Sequence, residues 1–275
     1  MSVYLNHFGL SEPPFSKEIA ASQLWLPPSK ASLVDDLVQA VSERASILLT
    51  GDPGVGKTCV LRALRQRLPQ AGFNLTYCHN ATLGRRDFYR QVCLALGLAP
   101  SATAAALFYA VSTHVTELGR ERVHPVFLLD ESHLLHQDTL DHLHILLNYE
   151  WDSRALLSLI LVGLPELADR LAMRRNRSLY SRLQWRRHVD SLTPEDTADY
   201  VRVRLQQAGV DQEVFTSHAL AVLHEATLGS MRDIDRLATA ALRRAERVDR
   251  KIVERECVLA VVAEDHAGPQ TAAAA

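Results

Sequence analysis

The stretch SILLTGDPGVGKTCVLRALRQRL, which begins at Ser46, constrains the fold more than any other in the chain. Ile47 to Thr50 is a short apolar run that reads as a buried strand. Val60, Leu61, Leu64 and Leu68 then recur at helical spacing. Between them Gly51, Asp52, Pro53, Gly54, Val55, Gly56, Lys57 and Thr58 satisfy the pattern G-x-x-x-x-G-K-[ST] in the strand-to-helix setting it requires. Glycines let backbone N–H groups close around phosphates. Lys57 should reach the β and γ phosphates, and the Thr58 hydroxyl should hold magnesium. Gly51 to Cys59 is therefore the expected phosphate-binding stretch.

A second chemical feature follows downstream. NLTYCHN, 74–80, reads as the second strand, and a helix with Phe88, Val92 and Leu96 on one face comes next. An Ala-rich helix from about Thr103 to Leu118 leads to HPVFLLDESHLL, in which Val126 to Leu129 is a buried strand ending in two acids, Asp130 and Glu131. Placed beside the phosphate loop, the carboxyl end of such a strand opens on the crevice where open α/β sheets bind ligands. Asp130 is expected to anchor the metal and Glu131 to act as the base that activates a water.

LLSLILVGLPEL supplies a fourth strand and HVDSL, 188–192, a fifth. Strands alternating with helices imply a parallel sheet with helices on both faces. After Leu192 the pattern is helical only. Thr193 is an expected N-cap, Pro194 takes the first helical position, Glu195 and Asp196 fill the first turn, and Gly209 stops the helix. Two or three more helices run to about Glu264. The expected organisation is an N-terminal strap and helix over 1–45, an αβα core over 46–192, a small helical lid over 193–266 and a disordered tail over 267–275.

Composition removes several alternatives. With 275 residues, 47% hydrophobic and 23% charged, the chain can build one sizeable core or a larger and a smaller domain. MSVYLNHFGLSEPP lacks the basic and apolar regions of a secretory signal, and the longest apolar run, LLSLILVGL, is too short to span a bilayer, so a cytoplasmic protein without membrane attachment is expected. Cys59, Cys78, Cys93 and Cys257 form no CxxC pair, which argues against zinc or a disulfide framework. His133, His136, His142 and His144 lie within a dozen residues. His133 and His136 could share a helical face, but without a nearby cysteine a polar helix face is the preferred reading over a metal site.

RRNRSLYSRLQWRR, 174–187, carries six arginines and no acid in a chain of formal net charge -2. Such charge serves either nucleic acid or a phosphate bound elsewhere.

Taken together, HFGLSEPPF, GDPGVGKT, FLLDESHLL, LLNYEWDS, LVGLPEL, LTPEDTADYVRVRLQQAG and GSMRDIDRL resemble the AAA+ ATPases. Within them the match is to the ExeA-like group that includes transposon helper ATPases of the TniB and TnsC kind. The resemblance implies an α/β fold: a P-loop core with a five-stranded parallel sheet flanked by helices, then an all-α lid. It implies ATP and magnesium bound between core and lid, with neighbours in a homo-oligomer, ring or filament, completing each other's sites. By position Arg182 resembles the family's arginine finger and Arg232 its sensor 2. HFGLSEPPF matches the segment that packs by the adenine, with Phe15 as the contact. Relatives carry a polar residue after the glycine that ends strand four. Here Gly163, Leu164 and Pro165 stand in that place, and Asn148 is the substitute considered for sensor 1.

With Arg182 assigned to ATP, the surplus arginines Arg174, Arg175, Arg177, Arg186 and Arg187 are left for a subunit contact or DNA. Arg85 and Arg86 form another DNA-facing pair. The function expected first is an ATP-hydrolysing transposition helper that binds duplex DNA without sequence preference and recruits or activates a partner transposase. The alternatives are an ATPase of a secretion or pilus-assembly system, or a replication initiator or clamp-loader-like ATPase. Secretion relatives usually continue into a membrane segment and initiators often append a winged helix. Neither is found in this sequence, and that sets the order of expectation.

Overall fold

The structure is a computed structural model that describes residues 3–20, 23–69, 71–78, 84–149 and 153–266. In chain order its elements are α1 (Val3–Phe8), α2 (Pro28–Ser42), β1 (Ser46–Thr50), α3 (Lys57–Arg67), β2 (Phe73–Cys78), α4 (Arg85–Ala95), α5 (Ala104–Arg120) and β3 (His124–Leu129). They continue with α6 (Gln137–Leu146), β4 (Ser158–Gly163), α7 (Glu166–Ala172), α8 (Arg177–Tyr180), β5 (Leu183–His188), α9 (Pro194–Gln207), α10 (Ser217–Thr227), α11 (Met231–Arg247) and α12 (Arg255–His266). The expected tail over 267–275 and part of the expected second strand, 79–80, lie outside the described residues.

Two compact units are formed, one from 28–52 and 57–189, the other from 1–27, 53–56 and 190–275. The N-terminal stretch read as a single lead into the core is thus shared: 1–27 clusters with the C-terminal helices and 28–45 with the sheet.

The first unit holds a five-stranded parallel sheet of order β2-β3-β4-β1-β5. Strands β1, β3 and β4 are buried at every position, as strands covered on both faces must be, and for that reason they read as continuous apolar runs. Phe127, Leu129, Leu159 and Leu161 pack in one core cluster with Phe88 and Val92 of α4, Leu107 and Val111 of α5 and Leu140 and Leu143 of α6. Each such side chain contributes roughly 1.5–3 kcal/mol by burial, so a polar substitution within β3 would displace the acids at its end.

The acids' strand and the strand of the phosphate loop are separated by one neighbour: β4 sits between β3 and β1, paired to both. At about 4.8 Å per strand, the acids' strand runs roughly 10 Å from the strand that feeds the phosphate loop. The fifth strand is Leu183–His188, not 188–192. It pairs with β1 alone, and as an edge strand it needs only alternating burial, which LQWRRH meets with Leu183 buried and Gln184, Arg186 and His188 exposed. Of the apolar residues that marked 188–192, Val189 is buried just past the strand, its N–H donating to Thr50 O at 2.8 Å, and Leu192 is buried outside the sheet.

In the second unit, α9 begins with a capping box: Thr193 accepts from the N–H of Asp196, whose carboxylate accepts from the N–H of Thr193. Gly209, at φ +92°, ends the helix. The N-terminal segment is tied along this helix. Ser11 N–H donates to Ala208 O at 2.9 Å, and Arg204 Nη2 to Ser16 O at 3.1 Å, while Phe8, Leu10 and Phe15 are buried. Gly229 has φ +75°, and a β-carbon there would lie 2.1 Å from Leu192 O, so only glycine allows the chain to enter α11 at this point.

Candidate nucleotide site

The loop after β1 has the conformation its glycines predict. Gly54 and Gly56 sit at φ +83° and +96°, values that bulkier residues avoid, and α3 starts at Lys57. The Lys57 ammonium donates to Gly51 O at 2.7 Å and Asp52 O at 2.9 Å, so it is held over its own loop. Thr58 is exposed on the first turn of α3 and Cys59 is half-buried behind it.

Pro53–Gly56 clusters with the helical unit, and there the contact is close. Arg232 N–H, at the start of α11, donates to Gly54 O at 3.2 Å. A β-carbon on Gly54 would lie 2.5 Å from Ser230 Oγ, a buried hydroxyl with no hydrogen-bond partner. The Arg232 side chain is exposed.

Within the sheet unit a row of contacts crosses the carboxyl ends of the strands. Gly51 N–H donates to Gly163 O at 3.2 Å, which joins the ends of β1 and β4. His133 packs against Gly163 and lies 3.5 Å from Glu131 Oε2. Asp130, 9% exposed, accepts from Glu131 N–H at 2.9 Å and from the Tyr77 hydroxyl of β2 at 3.0 Å. Glu131 is in the left-handed region, at φ 52° and ψ 35°. For a residue with a side chain this costs on the order of 1 kcal/mol, and it is the turn that separates the two carboxylates. Asp130 is drawn to Tyr77, whereas Glu131 is half-exposed.

Burial first, and then the Asp130 charge and hydrogen bond, push the Tyr77 hydroxyl far above its ordinary value, so it remains a donor. Burial also pushes the Cys78 thiol up to about 11, which makes it a packing group and not a nucleophile.

The arginines do not gather at one place. Arg182 lies on the turn before β5, with Nη1 donating to Ser178 O at 3.0 Å. Arg175 pairs with Asp141 of α6 at 2.6 Å, and Arg187 with Asp36 of α2 at 2.9 Å while lying over the Trp185 ring. Arg186 lies over the Tyr180 ring at 3.7 Å. Arg174 and Arg177 are exposed. Of the other pair, Arg85 bonds His142 Nε2 at 2.6 Å, and burial, then the Arg85 charge, holds that histidine below its ordinary value, whereas Arg86 is exposed. Asn148, considered for sensor 1, is exposed after α6, its N–H bonded to Ile145 O.

His133 and His136 do not share a helical face: His133 is in a short 3₁₀ turn, Ser132–Leu134, and His136 caps α6. Sequence reasoning missed Tyr77, His133 and Ser230 as neighbours of the expected site residues. Only His133 left a signal, its place two residues after Glu131.

Residues 39–171 match the family model described as AAA domain. The fold is AAA+. Cdc6p from Pyrobaculum aerophilum superposes with a TM-score of 0.66 over 87% of this chain and 67% of that one, at 17% identity. The Drosophila ORC, solved bound to DNA, gives 0.69 over 96% of this chain and 66% of that one, at 20% identity. At such identities these likenesses speak for the AAA+ fold alone. General secretion pathway protein A of Aeromonas hydrophila is 34% identical over 262 residues, 94% of this chain. The chain spans about half of that protein, 48% of its length.

An AAA domain implies ATP binding, typically with magnesium, and the residues present fit both. The loop turns at Gly54 and Gly56 with positive φ and brings the Lys57 ammonium over its own carbonyls, as a phosphate loop requires, and beside Gly54 the Ser230 hydroxyl is buried without a hydrogen-bond partner. Thr58 and Asp130 offer hard oxygen donors, and magnesium needs only one or two of these because it keeps several waters. Among the described residues no helix is long and apolar enough to cross a membrane.

Proposed function

We propose that this protein is an ATP hydrolase that works as the motor or switch subunit of a secretion-type assembly. The observation that carries the hydrolase reading is the pairing of the glycine-turned loop before Lys57 with two carboxylates of different surroundings at the end of β3. Lys57 would hold the β and γ phosphates, with the loop N–H groups around them. Thr58 and Asp130 would hold magnesium, which when bound neutralises charge building on the phosphate oxygens. Glu131, half-exposed and turned away from Asp130, would take a proton from the attacking water. Arg182, on the turn before an edge strand, would stabilise the transferred phosphoryl group in a neighbouring subunit, and Arg232 would meet the γ-phosphate from α11. Phe15 would pack by the adenine.

The secretion reading draws its support from the identity to general secretion pathway protein A across nearly the whole of this chain. The transposition helper, ranked first from sequence, gains no support from these relatives. Duplex DNA, a partner transposase and DNA contacts through Arg85, Arg86, Arg174, Arg175 and Arg177 belong to that second reading.

One experiment tests both levels. Glu131→Gln should keep magnesium-ATP binding and lose hydrolysis by about 10²- to 10⁴-fold, the usual worth of a positioned base. Turnover of the unaltered protein should not respond to duplex DNA. Hydrolysis that survives in Glu131→Gln removes the assigned base, and strong stimulation by duplex DNA restores the transposition helper to first place.

A further inference from the structure

The geometry points to His133 as a positioning residue that holds Glu131 for catalysis, in the space left empty by Gly163. This rests on the reading of Glu131 as the base.

The end of β4, Gly163-Leu164-Pro165, offers no polar side chain. A β-carbon on Gly163 would lie 3.3 Å from His133 Nδ1, 3.2 Å from His133 N and 2.8 Å from a methyl of Leu167. The Leu167 methyl and the His133 turn with its imidazole therefore share the room that a side chain at 163 would need. From there Nδ1 is 3.5 Å from Glu131 Oε2 and 3.5 Å from the N–H of Leu164.

One ring nitrogen thus faces an acceptor and a donor, and it can serve only one at a time. Without a proton, Nδ1 accepts from Leu164 N–H. With one, it donates to the Glu131 carboxylate. Both distances are at the outer limit of a hydrogen bond, as is common at catalytic groups before substrate binds and draws them together.

The ring's mounting suits a holding role. His133 is only 13% exposed where Glu131 is 51% exposed, so the histidine is the better fixed of the two. Its carbonyl accepts from Arg170 Nη1 of α7 at 3.1 Å, and the turn beneath is closed by Leu134 N–H to Glu131 O at 2.9 Å. A donor aimed at one carboxylate oxygen leaves the other to meet water, and it restricts the rotamers of a side chain that is otherwise half in solvent. His133 itself touches no reacting atom.

The test compares His133→Ala, His133→Phe and His133→Asn by ATP binding, thermal melting and steady-state kinetics, with Glu131→Gln alongside. Phe fills the space without a donor, and Asn can place an N–H close to where Nδ1 stands. Loss of a partner that orients a functional group typically costs about 10- to 100-fold in activity, and here it should fall on kcat while KM for ATP moves less than about twofold. The inference predicts this loss in Ala and Phe and recovery to within about threefold of the unaltered kcat in Asn. Wild-type kcat in Phe overturns it, because shape alone would then suffice. Equal losses in all three variants, with a lowered melting temperature or weakened ATP binding, also overturn it, since the role would be structural. Full turnover in Glu131→Gln sinks the base assignment and this inference together. Loss in Glu131→Gln with unchanged His133 variants sinks this inference alone.

Discussion

Gly51–Thr58 and Arg174–Arg187 both gather anion-binding groups in a short run of sequence, yet they meet very different fates in the folded chain. The loop does locally what its residues require: glycines at positive φ, a lysine at the helix start, and a helix behind. The arginines are dispersed by distant partners. Arg187 goes to Asp36, Arg175 to Asp141 and Arg186 to Tyr180, so a stretch without an acid of its own borrows acids from α2 and α6. Backbone chemistry is written next to where it acts, whereas the role of a long cationic side chain is decided by what the fold brings to it.

The sharpest way to test this contrast is Arg182, the residue of the arginine stretch assigned to phosphate. Arg182→Ala should bind ATP normally and lose about 10³- to 10⁵-fold in kcat, the range for an arginine finger. Mixing in Glu131→Gln subunits should restore part of the turnover, because they still offer Arg182 to a neighbour whose Glu131 is intact. Without rescue at any ratio, the arginine acts in its own subunit or not at all, and the stretch contains no trans-acting group.

Lys57 marks the other side of the comparison. Replacing it by Ala removes a charged hydrogen-bond donor, an effect of about 10- to 100-fold in ATP affinity, whereas Arg174→Ala and Arg177→Ala should leave affinity unchanged. A titration of fluorescent ATP analogue against each variant checks this. Equal weakening in all three would erase the distinction between the two stretches.

What the sequence disclosed follows the same division. The three central strands, the capping box at Thr193 and the stop at Gly209 were legible because burial on both faces and cap geometry act through adjacent residues. The loop and the two acids at the end of β3 were legible for the same reason. Strand β5 was misplaced because its edge position relaxes the demand for apolar residues, and Arg186 and Arg187 could be read as loop charge. Tyr77 and His133 were missed because their importance depends on register. Tyr77 sits beside Leu128 in the β2–β3 ladder and so reaches Asp130, and His133 matters only because residue 163, in a separate strand, has no side chain.

The smallest effect is expected at Asp141, and it shows how far the dispersal of arginines matters energetically. Its carboxylate accepts from Arg175 Nη2 at 2.6 Å and from Gln137 Nε2 at 2.8 Å. The Arg175 hydrogen bond is the main cause that holds its acidity below the ordinary carboxylate range. A carboxylate with a depressed folded-state value adds stability above the unfolded value, near pH 3.9. That contribution is lost as pH falls through the folded value. Arg175 is well exposed and Asp141 partly so, and solvent screening keeps the pair's contribution small. Asp141→Asn should therefore melt slightly lower than the unaltered protein at pH 7, and the difference should close as the pH is taken below the carboxylate range, where both proteins lack the charge. A difference that persists undiminished at low pH would mean that Asp141 acts through packing or its bond to Gln137, and that Arg175 is not held by charge at all.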